Sequence, residues 1–307
     1  MTAFAEACLL AFVLAATLGA GALVVRAAGL LLRERWLEPL APVFIAAGRL
    51  MPLLLLLALP VLLLAGALYP WAGGPRAVPV LSASGAILLL WSFLGWWLAR
   101  PAPTRRAAGA ALLLVVLTAA VAFEDWALSR DAGWVGSLNG IAMLVGGAAA
   151  FLGLAVLLQG CPEDPEARTG LERALLTLGV FALWFLFVPY VTVWAADLPP
   201  EAAWYLRRQE GIWLWMKLGV ILPALTGAIL LSAMPQWRPW RMRLVCGLLL
   251  LQHVALVLWT IRPDAKLAPG AAHGAPNPLA DAIVIGLAAL ALLLLARRAA
   301  RSGSEAV

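Results

Sequence analysis

The residues in this chain most suited to chemistry lie in VAFEDWALSRDAGW (121–134), where an apolar run gives way to Glu124 and Asp125. Trp126, Ser129, Arg130, Asp131 and Trp134 follow at once. A carboxylate near a membrane face can accept a proton from a reacting group, or it can simply end a helix in head-group water. Neighbouring residues on an α-helix are about 100° apart, so Glu124 and Asp125 are not expected to point into a bundle together, and one should face a loop. Three other segments carry isolated polar or aromatic groups: Tyr190, Trp194 and Asp197; Lys217 in WLWMKLG; and His253 in LLLLQHVALVLW. A histidine titrates in the range suited to proton transfer near neutrality, although a lone one in an apolar helix more often packs through a hydrogen bond. Lys217 is expected either to snorkel its ammonium to the interface or to pair with Asp125 or Asp197.

These residues are set in an oily chain. Of its 307 residues 64% are hydrophobic and 12% charged, and the mean hydropathy is +0.94. Soluble domains carry about twice that share of charge. Repeated apolar runs near twenty residues long predict an all-α, polytopic transmembrane helix bundle forming a single membrane domain over 1–307. About nine spans are expected, with eight to ten compatible with the pattern: 3–25, 43–68, 79–99, 107–126, 137–159, 171–195, 211–233, 241–261 and 279–297. Pro52 and Pro60 should kink the second. The N-terminal segment carries Glu6 and lacks a basic region, so it reads as the start of the first span rather than a cleaved signal.

Basic residues gather after the odd-numbered spans: Arg26, Arg33, Arg35 and Arg49; Arg100, Arg105 and Arg106; Arg168 and Arg173; Arg238, Arg241 and Arg243; Arg297, Arg298 and Arg301. They are sparser after the even-numbered ones, at Arg76, Arg130, Arg207, Arg208, Arg262 and Lys266. The positive-inside rule then puts the N-terminus outside and the C-terminus in the cytoplasm. It also sends Glu124, Asp125, Tyr190, Trp194, Asp197, Lys217 and His253, from four spans, toward one outer face. Trp71, Trp126, Trp134, Trp194, Trp204 and Trp213 fit an outer aromatic belt, and Trp36, Trp97, Trp237 and Trp240 an inner one.

Several classes are disfavoured by what is missing. Cys8, Cys161 and Cys246 are scattered and have no metal-binding spacing, so no metal site is expected. His253 and His273 are the only histidines, and His273 lies in a loop, which leaves no bis-histidine heme pair. There is no P-loop, nucleophile elbow or HExxH motif. The basic residues occupy short loops rather than a polar patch, so no nucleic acid is expected as a partner.

In order along the chain, these segments resemble the polysulfide-reductase-type (NrfD-like) membrane proteins, and within them the second quinone-binding membrane subunit of bacterial alternative complex III. DWALSRDAGWVGS is similar to the family's DWxxSLEPHWxST-like segment: Asp125, Trp126, Ser129 and Trp134 coincide, Asp131 stands for the Glu, and Gly140 follows at the expected distance. RERWLEPLAP (33–42) with LYPW (68–71), FVPYVTVWAADLPPEAAWYLRR (187–208), GIWLWMKLGVILP (211–223) and QHVALVLWTIRP (252–263) continue the series over nearly the whole chain. In the segment 187–208 Tyr190, Trp194, Pro199 and Glu201 match and Asp197 replaces an Asn. Two positions depart: the family's His is Gly133, and its Asp after the last histidine is Leu256.

The resemblance implies a subunit of a quinol:cytochrome c oxidoreductase in the bacterial inner membrane. It implies a related NrfD-like membrane subunit, a periplasmic iron–sulfur subunit and multiheme cytochrome c subunits as partners, besides the lipid bilayer. Quinol or quinone would be the bound species, with heme and iron–sulfur clusters held by the partners and no covalent cofactor here. Asp125 and His253 are then the expected proton-transfer residues, and Trp126, Ser129, Trp134, Tyr190, Trp194 and Lys217 the expected quinone-binding ones. Loss of the polar groups at Gly133 and Leu256 keeps open an anchoring subunit without quinol binding. A proton-conducting or transporter-like protein is a third reading, which the scarcity of charge in the inner half disfavours.

Overall fold

A computed structural model describes residues 2–267 apart from 102 and 134–137, together with the isolated positions 269 and 286. The expected ninth span (279–297), Trp134 and His273 lie outside the described residues. Within them the chain is helical, with no strand. Seven helices are long and apolar enough to cross a membrane, or eight where the bent pair Leu37–Leu50 and Leu53–Leu63 is counted as one span. The protein is an all-α polytopic membrane bundle.

Helix α1 (Thr2–Leu32) is followed by the bent pair α2 (Leu37–Leu50) and α3 (Leu53–Leu63), then the short α4 (Ala65–Leu68). The next three spans are α5 (Ala77–Leu98), α6 (Arg105–Phe123) and α7 (Asn139–Gln159). After α8 (Pro165–Ala195), a short α9 (Pro199–Arg207) lies on the face where α1 begins. Helices α10 (Gly211–Met216) and α11 (Leu222–Ser232) form one span, and α12 (Pro239–Ile261) is the last. Seven of the first eight expected spans correspond to these long helices, and the second (43–68) falls on the bent pair. Two crossings contain a π-turn: Glu124–Leu128 ends the α6 span, and Lys217–Ile221 joins α10 to α11.

Local chemistry sets the ends and bends. The 43° bend between α2 and α3 falls at Met51–Pro52, where proline cannot donate to the helix ladder. Thr104 and Asp164 cap α6 and α8 by accepting hydrogen bonds from the Ala107 and Ala167 N–H groups. Helix α1 ends in a left-handed turn at Arg33 (φ 59°), and the Glu34 N–H donates to the Gly29 carbonyl at 2.9 Å, the pattern of a Schellman cap.

Helices α1, α7 and α12 form the interior, with 78%, 72% and 61% of their apolar windows buried, whereas α8 has only 17%. Glycine makes the interior packing of α7 feasible. A Cβ on Gly147 would sit 2.2 Å from the Thr17 carbonyl oxygen of α1, and one on Gly140 would sit 2.4 Å from the Ala120 carbonyl oxygen of α6. Gly153 faces the Cys246 backbone of α12 in the same way.

The aromatic belts are only partly realised. Trp194 and Trp240 are exposed, but Trp36, Trp71, Trp126 and Trp204 are buried in the protein. Their indoles are enclosed by protein instead of meeting head groups.

Gly147→Val is expected to separate α1 from α7 and to destabilise the protein by about 3 kcal/mol or more, the upper end of overpacking costs. Gly247→Ala, whose added methyl meets nothing within 4 Å, should leave the thermal midpoint in detergent unchanged. A normal midpoint for Gly147→Val would contradict the close approach.

Candidate functional site

On the face where α1 begins, the ends of α1, α6, α8, α10 and α12 converge with α9. A half-enclosed, mainly apolar cavity of about 270 Å³ lies there. Leu183, Leu186, Phe187 and Tyr190 of α8 form one wall, and Leu256, Trp259 and Thr260 of α12 another. The two π-turns contribute Leu128 and both Lys217 and Ile221, and Asn139, Ala142 and Met143 of α7 complete the inner wall. Trp204 and Tyr205 of α9 close the end nearest the surface. π-turns often occur at functional sites because they shift the helical register and leave backbone groups free to adapt.

The cavity's polar groups are few and grouped. Lys217 Nζ lies 5.3 Å from the centre of the Tyr190 ring, and Tyr190 meets Tyr205 edge-to-face at 5.3 Å. Burial pushes the Tyr205 phenol well above its ordinary range, with its Asn139 hydrogen bond and the Arg208 charge opposing, so it stays a neutral donor. The Trp259 Nε1 atom is buried without a hydrogen-bond partner among the described residues. An apolar slot with a lysine, two phenols and a spare indole N–H suits a flat, apolar molecule bearing oxygen acceptors.

The expected site residues divide into three groups. Tyr190 and Lys217 line the cavity. Lys217 forms no ion pair with Asp125 or Asp197 among the described residues; its ammonium lies over Tyr190. Trp194 is exposed beyond the cavity, as is Asp197 in a left-handed turn (φ 48°).

Asp125, Trp126 and Ser129 belong to a neighbouring junction rather than to the cavity lining. The Trp126 Nε1 donates to Ser84 Oγ at 2.8 Å, and Tyr69 donates to the Trp126 carbonyl at 2.8 Å. Trp71 Nε1 donates to Ser129 Oγ at 2.7 Å, which donates on to the Asp125 carbonyl at 2.6 Å. The motif thus joins the ends of α4, α5 and α6. Asp125 turns outward to Arg76 at 3.5 Å, whereas Glu124 accepts from the Gly140 N–H at 3.0 Å, beside Asn139. The inward carboxylate is Glu124, a role that helical spacing alone could not assign between the pair.

His253 is also elsewhere. It is fully buried between α12, α1 and α7, with Nε2 2.8 Å from Thr17 Oγ1. The Thr17 hydroxyl donates to the Leu14 carbonyl, so the imidazole is the donor in the Thr17 pair. Its Nδ1 faces Gly146, where a Cβ would approach to 2.9 Å. His253 is a packing residue in this structure and does not line the cavity. Leu256, one helical turn along, does.

Sequence reasoning missed the charge network beside the cavity. Glu6 at the start of α1 pairs with Arg130, including a 3.0 Å bond to Nη1, and with Arg262 at 3.3 Å. Asp264 pairs with Arg208 at 2.5 Å and with Arg207 at 3.5 Å, and Arg207 also pairs with Asp131. Arg208 packs over the Trp204 ring and donates to the Trp259 and Thr260 carbonyls, which ties the network to the cavity wall. Burial draws the Arg208 guanidinium down to about 10 and Asp264 counters it, so it remains a cation at neutral pH. The signal was present as arginines following spans, but position alone suggests solvent-exposed loops.

Asp264→Asn would leave Arg208 buried without its main counter-charge, and a loss of roughly 3–5 kcal/mol is expected. A thermal midpoint equal to that of the wild type would show that the pair is not desolvated. No family model matches the chain, and no curated protein matches it.

Proposed function

We propose that this chain is an integral membrane subunit of a respiratory, quinol-oxidising electron-transfer complex of the alternative complex III type. The observation that carries this reading is the apolar cavity whose polar groups, Lys217, Tyr190 and Tyr205, gather at one end. The ordered resemblance to NrfD-like membrane subunits supports it. A quinol ring would occupy the slot, with one oxygen accepting from Lys217 or a tyrosine and the apolar tail leaving between α8 and the α10–α11 span toward lipid.

Oxidation of a quinol releases two electrons and two protons. The electrons would pass to an iron–sulfur or heme group of a partner subunit. Glu124 would be the first proton acceptor, a general-base role suited to a carboxylate close to the site. Asp125, next in the chain and turned outward to Arg76, would hand the proton to water. The exposed apolar surface of α5, α8 and α11 would meet lipid and a related membrane subunit. The resemblance implies a bacterial inner-membrane location, and the basic bias of the loops supports a cavity on the outer side.

An anchoring subunit without quinol is the second reading. It is favoured by the apolar Leu256 on the cavity wall and by the consumption of Trp126 and Ser129 in structural hydrogen bonds.

The two separate in the purified complex. Lys217→Met is expected to slow quinol oxidation about 10- to 100-fold, the equivalent of one hydrogen bond to a charged group. His253→Ala should keep a near-normal rate in whatever fraction assembles. Wild-type rates in fully assembled Lys217→Met and Tyr190→Phe complexes would reject quinol binding here and leave the anchoring role.

A further inference from the structure

We infer that a groove on the opposite face binds a glycerophospholipid whose head group carries a phosphate followed by a primary ammonium, as in phosphatidylethanolamine. The groove, of about 540 Å³, lies between the end of α1, the turn that follows it and the first half of α8. Its deep walls are apolar, with Val25, Leu152 and Leu178 among them. Helix α8 has little of its apolar surface buried, so the groove borders the bilayer and acyl chains can enter from the side.

The polar end holds both signs of charge. Arg33 and Arg173 line it and make no hydrogen bond or ion pair among the described residues. Arg35 is already committed, to Glu166 at 2.6 Å. Trp36 is 4% exposed, and its Nε1 has no hydrogen-bond partner. These groups form a phosphate-binding set of two guanidinium groups and an indole N–H. Basic pockets between spanning helices are known sites for lipid head groups.

Glu34 decides which head group fits. Its side chain also lines the groove without a hydrogen bond or ion pair among the described residues, and it lies beside Trp36 across Gly170. A purely anionic head group would leave this carboxylate facing like charge. A trimethylated ammonium cannot donate a hydrogen bond to it. A primary ammonium can, while the preceding phosphate meets the arginines. This inference is independent of the quinol reading, which concerns the other face.

The test is native mass spectrometry of the delipidated full-length chain in detergent, titrated separately with phosphatidylethanolamine, phosphatidylcholine and phosphatidylglycerol. The wild type should bind phosphatidylethanolamine roughly tenfold more tightly than either of the others, equivalent to one added charged hydrogen bond. Glu34→Gln should abolish that preference while phosphatidylglycerol binding is kept or improved. Arg33→Gln and Arg173→Gln should weaken all three lipids. Because none of these side chains has a partner to lose, the variants should keep the wild-type elution volume. Equal binding of the three lipids by the wild type, or a preference for phosphatidylglycerol, would overturn the inference. So would unchanged binding by Arg173→Gln.

Discussion

The bundle depends on how closely α7 can approach its neighbours. Glycines on different sides of this helix allow near backbone contact with α1 and α6 and tight packing against α12. Lipid tails are as apolar as the side chains they would meet, so burial of oily surface gives little net attraction between helices in a bilayer. Close van der Waals contact between small residues supplies much of it instead. Helix α7 therefore acts as the central post, and Asn139, Ala142 and Met143 on its first turns line the cavity.

The buried ion pairs solve a different problem on the same face. Arg130, Arg208, Arg262, Glu6 and Asp264 are all nearly inaccessible, and moving such charges out of water is costly unless each has a well-formed partner. Their pairing fixes the relative positions of α1, α9, α12 and the segment after α6, the elements that frame the cavity. It also refines the charge argument for topology. The arginines on this face are largely neutralised by carboxylates, so the imbalance in mobile positive charge between the two faces is larger than a count of arginines implies.

Much of the architecture was legible because a membrane span is a long-range property of composition. Seven of the apolar runs became long spanning helices and an eighth the bent pair, whose break at Pro52 followed from proline's missing N–H. The site was less legible because it depends on which helices touch. Tyr190 and Lys217 stood out as polar groups in apolar segments and do meet. His253 stood out for the same reason but points to Thr17, and the stretch around Trp126 and Ser129 carries hydrogen bonds between helix ends. The π-turn at Glu124–Leu128 also breaks the even 100° spacing used to compare Glu124 with Asp125. The lining residues Asn139, Tyr205 and Thr260 had no sequence signal, since each is an ordinary residue until α9 folds across the bundle.

The Glu6–Arg262 pair has a consequence for the order of biosynthesis. Its members are 256 residues apart, so at about 5–20 residues per second the carboxylate is made roughly 10–50 s before this partner. During that interval Arg130 is the partner from the network available to it, and the segment carrying Asp264 has not been made. The charged cluster can close only when the α12 end arrives. Until then the nascent bundle retains a polar, water-accessible gap at this face, and the seal over the cavity is among the last tertiary features of the described chain to form.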